Sequence, residues 1–388
     1  MKGFVAELSA ARRLPGWRLM AGAVATLSAV LIFASSSPLS ARELPIERLR
    51  LPPGFSVEVW ARVPDARALA LGKHNVMVGS RSGAVHAVSF GADLRATRIR
   101  RLATGLSIPL GVATHRGDLY VSSVDRILVW RNIEAHLDAP GEPDTIVADL
   151  PAARHHGGRY LRFGPDGLLY VSVGAPCNVC APDGDRHSVI LRMRADGSRR
   201  ETVARGVRNS VGFDWHPDTG ELWFTDNGRD WLGDDAPACE LNRLSHPGQH
   251  FGFPYCHGGD LADPEFGRPG ICGEYVAPAR KLGAHVAPLG MRFYVGEQFP
   301  EDYRNAVLIA EHGSWNRSRK IGYRISLVRT LPGQPPRYQT FIDGWLLPDE
   351  SVWGRPADLL VMPDGSVLIS DDHAGAIYRV RYAAPRQP

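Results

Sequence analysis

A six-bladed β-propeller, all-β and with a long loop insertion between its fourth and fifth blades, is the fold the sequence predicts. Three observations predict it. A turn followed by a β-prone run recurs six times, most recurrences lie about one four-stranded blade apart, and 41 Gly and 30 Pro are spread along the chain. Residues 42–388 are read as this single domain, because closed all-β folds often run long as one unit.

The repeats come in order as KHNVMVGSRSGAVHAV from Lys73, RGDLYVSSVDRILVW from Arg116, PDGLLYVSVG from Pro165, HPDTGELWFTDNG from His216, RNAVLIAEHG from Arg304 and PDGSVLISDDHAGAIYRV from Pro363. Each puts Asn or Asp in its turn, where the side chain bonds nearby backbone, and two follow it directly with Gly, which tolerates positive φ. The turn residues Asn75, Asp118, Asp166, Asp218, Asn305 and Asp364 are separated by 43, 48, 52, 87 and 59 residues, against about 40–50 for one blade. The 87-residue gap calls for an insertion, placed at about 229–289, a stretch rich in Gly, Pro, Asp and His that holds three of the five cysteines. FSVEVWARV, from Phe55, is a spare strand able to close the ring by joining the last blade.

The N-terminus reads as an export signal. Lys2, Arg12, Arg13 and Arg18 precede an apolar run from Leu19 to Ala34, and small residues follow to Ala41, the order of a secretory signal peptide over residues 1–41. The run of 16 residues is shorter than the roughly 20 a spanning helix needs, so a cleaved signal and a periplasmic or secreted chain without a stable membrane span are expected, the alternative being an uncleaved membrane anchor. Removing the signal takes the formal charge from +4 to +1 and leaves no basic run, which argues against a nucleic-acid partner. Export permits disulfides: Cys256 with Cys272 brackets a Gly-rich loop and is the first pairing, Cys177 with Cys180 would close a tight local ring, and Cys239 is left over. CNVC is followed by Ala181 rather than His, so it lacks the haem c pattern, and zinc would need two further soft ligands.

Polar residues recur at one offset before the turns. His156 precedes its turn Asp by 10 residues, Arg208 precedes the next by 10 with Asn209 beside it, and Arg355 precedes the last by 9. Equivalent positions in different blades lie around one axis, so these residues should meet at one rim of the central channel. A second set follows the strands: Asp226, Asn227 and Gly228; Glu311 and His312; Asp371, Asp372 and His373. For any one of them a polar surface loop is the plain reading; the shared offset points the set towards a site. In RHHGG, residues 154–158, an extended segment would aim only one histidine inwards, while Gly157 and Gly158 would let a flat ligand approach the backbone. A histidine titrating near neutrality suits a general base.

Five motifs in order carry a resemblance: RHHGGRYLRFGPDGLLYVSVGAPCNVC, GVRNSVGFDWHPDTGELWFTDNGRDWLGDD, ELNRLSHPGQHFGFPYCHGGD, AEHGSWNRS and WGRPADLLVMPDGSVLISDD. Together they resemble the soluble pyrroloquinoline-quinone (PQQ)-dependent sugar dehydrogenases, especially the sorbosone dehydrogenase branch, over roughly Leu51 to Tyr382. The resemblance implies an oxidoreductase on a six-bladed propeller, with quinone and calcium (Ca2+) in a basic cleft and a sugar or sugar-derived aldehyde as substrate. It implies His156 as the base and hydride transfer to quinone carbon 5. Arg208 and Asn209 would contact the quinone oxygens, and Gly228 and Arg229 would give main-chain carbonyls to calcium. Arg208 would also stabilise developing negative charge, and Arg355 would fork onto a cofactor carboxylate. Glu240 is a candidate for a second, structural calcium or a plain carboxylate, and Trp315 and Trp353 are candidates to border the cofactor or to pack in the core.

The departures concern cofactor and substrate. Where the better-known glucose dehydrogenases of the family carry a lysine, this chain has Glu311-His312, so His312 is the candidate substitute; where they carry a further arginine it has Pro356-Ala357. SIPLGVA in the second blade offers no amide side chain to orient a sugar, which disfavours glucose itself. The electron acceptor is not identified. The competing classes are a non-catalytic sugar-binding propeller and a calcium-dependent lactonase, although a lactonase would need carboxylates and amides around its calcium rather than a mostly basic rim.

Overall fold

All six turn residues sit between the first and second strands of a blade. The computed structural model describes residues 43–330 and 333–384, so the export signal falls outside the described residues. Asp166 Oδ1 accepts from Leu168 N at 3.1 Å and Asp364 Oδ1 from Ser366 N at 3.0 Å, while Gly167 and Gly365 take φ of 73° and 79°. Asn305 occupies the same left-handed region at φ 58°, which Asn tolerates better than most residues.

Among the described residues, six antiparallel sheets of four strands form the blades. Their first strands are Leu69–Leu71, Val112–His115, Leu161–Phe163, Phe213–Trp215, Pro288–Phe293 and Pro356–Val361. The first strand of blade one packs against those of blades two and six, and that of blade five against those of blades four and six, so these strands line the axis. Their short, largely buried sequences suit that inner position. Polar side chains staple neighbouring blades: Thr225 Oγ1 donates to Leu289 O at 2.7 Å, Ser370 Oγ to Arg67 O at 2.6 Å, and Asp358 Oδ2 accepts from Leu69 N at 2.9 Å.

Phe55–Ala61 pairs antiparallel with Ala376–Tyr382 and becomes the outer strand of blade six, as the spare N-terminal strand predicts. The position of the insertion differs from the expectation. Arg280–Ala284 pairs with Ala238–Leu244 and completes blade four before the chain enters blade five at Pro288. The long excursion therefore lies within blade four, between its third and fourth strands. Turn spacing alone does not distinguish the two, because it measures the contour between hairpins and not which strand the chain returns to. Part of the excursion, Gln249–His250, adds a parallel fifth strand to blade three. Cys256–Cys272 pins the rest, Cys177–Cys180 closes its local ring, and Cys239 is free and buried.

Candidate active site

The rim where first strands begin and second strands end holds a cavity of about 380 Å³. The register explains the convergence: in each antiparallel pair the start of the first strand faces the end of the second. The supporting geometry repeats between blades. Asp226 Oδ2 accepts from Arg208 N at 2.8 Å, and Asp371 Oδ1 accepts from Arg355 N at 2.8 Å. These buried aspartates, pushed up to about 6 by burial, hold the rim backbone rather than face the cavity.

His156, Gly157, Gly158, Arg208, Asn209, His312 and Arg355 all line this cavity, together with Gly228 and Trp315. The structure alters the reason for the choice between the histidines. RHHGG is a turn rather than an extended segment, and His156 takes φ 48°, an uncommon conformation for a residue other than Gly. The turn aims His156 inwards and leaves His155 exposed, their ring centroids 4.1 Å apart. His156 Nδ1 lies 2.9 Å from Ala175 O, and since a carbonyl only accepts, Nδ1 carries the proton. Nε2 is left unprotonated, with no protein partner among the described residues. Burial and the Arg208 charge push the imidazole down to about 2, so it is neutral throughout the physiological range.

The glycines answer to the protein first. A Cβ at Gly157 would come within 2.8 Å of Arg154 O and 3.0 Å of Ala153 O, and one at Gly158 within 2.8 Å of Leu110 Cδ1. The tightness of this turn explains Gly157, whatever ligand approaches it, whereas Gly158 meets chiefly the movable end of the Leu110 side chain.

Arg208 is nearly encased. Nε donates to Asn178 O at 2.9 Å, Nη1 to Asn227 O at 3.0 Å, and Nη2 to Asn178 Oδ1 at 2.8 Å and Asp230 Oδ2 at 3.3 Å. Of its five N–H donors one, on Nη1, stays uncommitted. Arg355 is freer: Nε and Nη2 donate to His312 O and Gly313 O at 3.0 and 2.9 Å, leaving Nη1 for an anion. A fork through Nε is therefore not available to a cofactor carboxylate.

His312 does not replace an ammonium. Burial and the Arg67 charge push its imidazole down to about 3 against the pull of Asp372, so it is neutral. Its Nε2 donates to Asp372 Oδ1 at 2.8 Å, and Asp372 Oδ2 pairs with Arg67 Nη2 at 2.7 Å. Arg67, which lines the cavity, supplies the fixed positive charge here. It precedes its turn residue Asn75 by 8 residues, close to the offset of the other rim residues, so the signal was present in the sequence. Arg81, Arg154 and Asp230 also line the cavity and carried no such signal.

The metal candidates are not all brought to the cavity. Gly228 lines it; the Arg229 side chain turns away to Asp263 Oδ2 at 2.5 Å, and Glu240 lies behind the wall, opposite Asp226 in blade four. Burial and the Asp226 charge push the Glu240 carboxyl up to about 8, and the neighbouring Asn242 Oδ1 is buried without a partner. Trp315 stands exposed at the mouth, packed edge-to-face on exposed Trp231 at 5.2 Å. Trp353 is a packing residue, bonded to Gly344 O and set against Trp345 and Tyr378.

Five arginines and one carboxylate, Asp230, line the cavity, an arrangement suited to an anionic ligand beside a neutral base. The sequence matches a family described as Glucose / Sorbosone dehydrogenase over residues 132–314 and one described as TrAA12-like over residues 268–383. An uncharacterized protein of Borreliella burgdorferi is 37% identical over 368 residues, covering 90% of this chain and 95% of that protein. Among solved structures, the holo PQQ domain of pyranose dehydrogenase from Coprinopsis cinerea superposes with a TM-score of 0.72 at 18% identity, covering 86% of this chain and 97% of its own. The calcium structure of a Trichoderma reesei family AA12 protein gives 0.76 at 20%, covering 89% and 100%. The apo soluble aldose sugar dehydrogenase of Escherichia coli gives 0.62 at 17%, covering 85% and 100%.

Proposed function

The chain belongs to the glucose/sorbosone dehydrogenase family of sugar oxidoreductases, and from that premise we propose that it oxidises an aldose or a sorbosone-like aldehyde with pyrroloquinoline quinone as hydride acceptor and His156 as general base. The observation that carries this reading is a neutral imidazole with a free Nε2 inside a cavity walled by five arginines. The donor set fits an anionic quinone: Arg67, Arg208 and Arg355 reach the cavity from three blades, and Arg208 keeps one N–H for an oxygen. When bound, the quinone supplies an electrophilic carbon that accepts hydride. The protein does the rest. His156 Nε2 takes the proton of the hydroxyl on the carbon that gives up hydride, the anomeric hydroxyl of an aldose or a hydroxyl of the hydrated aldehyde, and the Nδ1 bond to Ala175 O fixes the tautomer that can do so. Arg208 and Arg67 set a positive field where negative charge develops. Trp315 and Trp231 bound the mouth through which a sugar would enter.

Calcium in this reading takes main-chain oxygens of Gly228 and Arg229, and a second ion takes Glu240 with the orphaned Asn242 Oδ1. Among the described residues no cluster of three or more His, Cys, Asp or Glu is placed to hold a metal, so carbonyl and amide oxygens would have to complete both shells. Glu240→Gln is expected to remove the second ion's share of the calcium-dependent rise in Tm, about 2.7 kcal/mol of stabilisation at a hundred times Kd, and to leave the share of the Gly228–Arg229 ion. An equal rise in variant and parent removes Glu240 from the metal set. Export fits the two disulfides, which persist in oxidising compartments. No helix among the described residues is long and apolar enough to cross a membrane.

The test of the function is titration of the apoprotein with pyrroloquinoline quinone and calcium. A visible absorption band and dye-linked oxidation of aldoses or aldehydes are expected. Quinone binding without turnover across a broad panel would overturn the enzyme, and no band at saturating calcium would favour a non-catalytic sugar binder or a lactonase.

A further inference from the structure

The segment after the second strand of blade three, residues 174–180, is closed by the Cys177–Cys180 disulfide into a small ring that contains Asn178. It touches both groups that the proposed chemistry uses. Ala175 accepts the His156 Nδ1 proton through its carbonyl at 2.9 Å and donates its own N–H to Arg208 O at 2.8 Å. Asn178 accepts from Arg208 twice, at its carbonyl from Nε (2.9 Å) and at Oδ1 from Nη2 (2.8 Å). The same Oδ1 accepts from Asp230 N at 2.8 Å, and Nδ2 donates to Asp230 O at 3.2 Å. One asparagine thus joins its own ring, the start of blade four and the loop that carries Asp230. At the head of the segment, a Cβ on Gly174 would approach His156 Cβ to 2.7 Å and Asn209 Oδ1 to 3.0 Å, so the chain packs closely between the two blades here.

We propose that Asn178, braced by the Cys177–Cys180 ring, is the positioning residue that sets the Arg208 guanidinium relative to His156. The proposal rests on the quinone reading above. An arginine on a flexible stem points only where its partners hold it. In Asn178→Ala the main-chain carbonyl still accepts from Nε, but Nη2 loses its 2.8 Å bond to Oδ1 and keeps only Asp230 Oδ2 at 3.3 Å, while the Asp230 backbone loses both bonds to the Asn178 side chain, so the Nη2 edge of the fork is no longer fixed. The side-chain contacts need Asn178 in one place, and a short half-buried loop without regular structure has many conformations open to it before folding. The disulfide removes most of them in both folded and unfolded chains, so the ordering cost is largely met before folding. Misplacing a charge-stabilising group by about 1 Å is enough to cost around a hundredfold in rate.

The experiment compares the full-length wild type with Asn178→Ala, Asn178→Asp and Cys177→Ser/Cys180→Ser, each checked for folding by circular dichroism. Quinone affinity, the absorption maximum of bound quinone, kcat and KM are read. Asn178→Ala is expected to weaken quinone binding by about tenfold or more, to lower kcat more than it changes KM, and to shift the absorption maximum. Asn178→Asp, which keeps both acceptors for Arg208, should recover most of the affinity; the double serine variant should fall between, with the same spectral shift. A merely structural role would lower Tm without moving the spectrum of quinone that still binds. If Asn178→Ala does not fold, the serine and aspartate variants decide the matter. Folded variants that match the wild type in affinity, spectrum and kcat overturn the proposal, and a wild type showing no quinone band overturns the quinone reading and this proposal with it.

Discussion

His156→Ala is expected to lower kcat for sugar oxidation by about 10²–10⁴-fold while leaving quinone affinity nearly intact. The imidazole is held by one bond, Nδ1 to Ala175 O, and its other nitrogen has no protein partner among the described residues, so removal orphans little apart from that carbonyl. Burial and Arg208 hold the pKa low, to about 2, which guarantees the basic form but makes it a weak base. An anionic ligand beside Arg208 opposes the second of these influences. The His156 imidazole should therefore titrate at a higher pH in the quinone-bound protein than in the apoprotein, as nuclear magnetic resonance of the ring protons would read. Full turnover in His156→Ala would remove the base assignment.

Asp372→Ala should produce the largest loss of stability. Asp372 joins buried Arg67 at 2.7 Å to His312 at 2.8 Å, and removing one partner of a buried pair strands the other charge, at a cost of about 3–5 kcal/mol measured by urea denaturation. Quinone should restore part of that loss, because Arg67 faces the cavity and an anionic ligand would take over part of the counter-charge role. The same network fixes a pH dependence. His156 and His312, depressed to about 2 and about 3, are neutral in the folded protein, whereas the unfolded chain takes up protons below about 6.5. Their contribution is present above that pH and is lost as pH falls through the window towards 3 and 2. Burial alone would raise the Asp372 carboxyl, yet the His312 hydrogen bond and the Arg67 charge hold it well below the ordinary carboxylate range. Its contribution too is lost on acidification, below about 3.9. The raised carboxyls of Asp226, Asp371 and Glu240 act in the opposite sense over the same range, so the contribution of His312 is read as the difference between the pH profiles of wild type and His312→Gln, and identical profiles would contradict the arrangement.

The blades were legible because each hairpin needs Asn, Asp or Gly at a left-handed or self-bonding position, and such residues mark a strand boundary locally. The rim was legible through offsets, since residues about ten before a turn begin a first strand. Three features were not. The return of residues 280–284 to blade four is a pairing between distant strands, which no local pattern encodes. The neutrality of His312 depends on Arg67 and Asp372, separated from it by hundreds and tens of residues. Asn178 looks like any loop asparagine until the fold lays it against Arg208.

The strand that closes the ring has a consequence for the order in which the site comes into being. Phe55–Ala61 is made first and Ala376–Tyr382 last, yet they lie side by side in the blade that supplies Arg355 and Asp372. An unfinished chain has no sixth wall to its cavity and lacks Asp372, the carboxylate that pairs with Arg67. Ligand capture in this cavity is therefore tied to a completed polypeptide, because the wall that the last blade supplies exists only once the ring has closed.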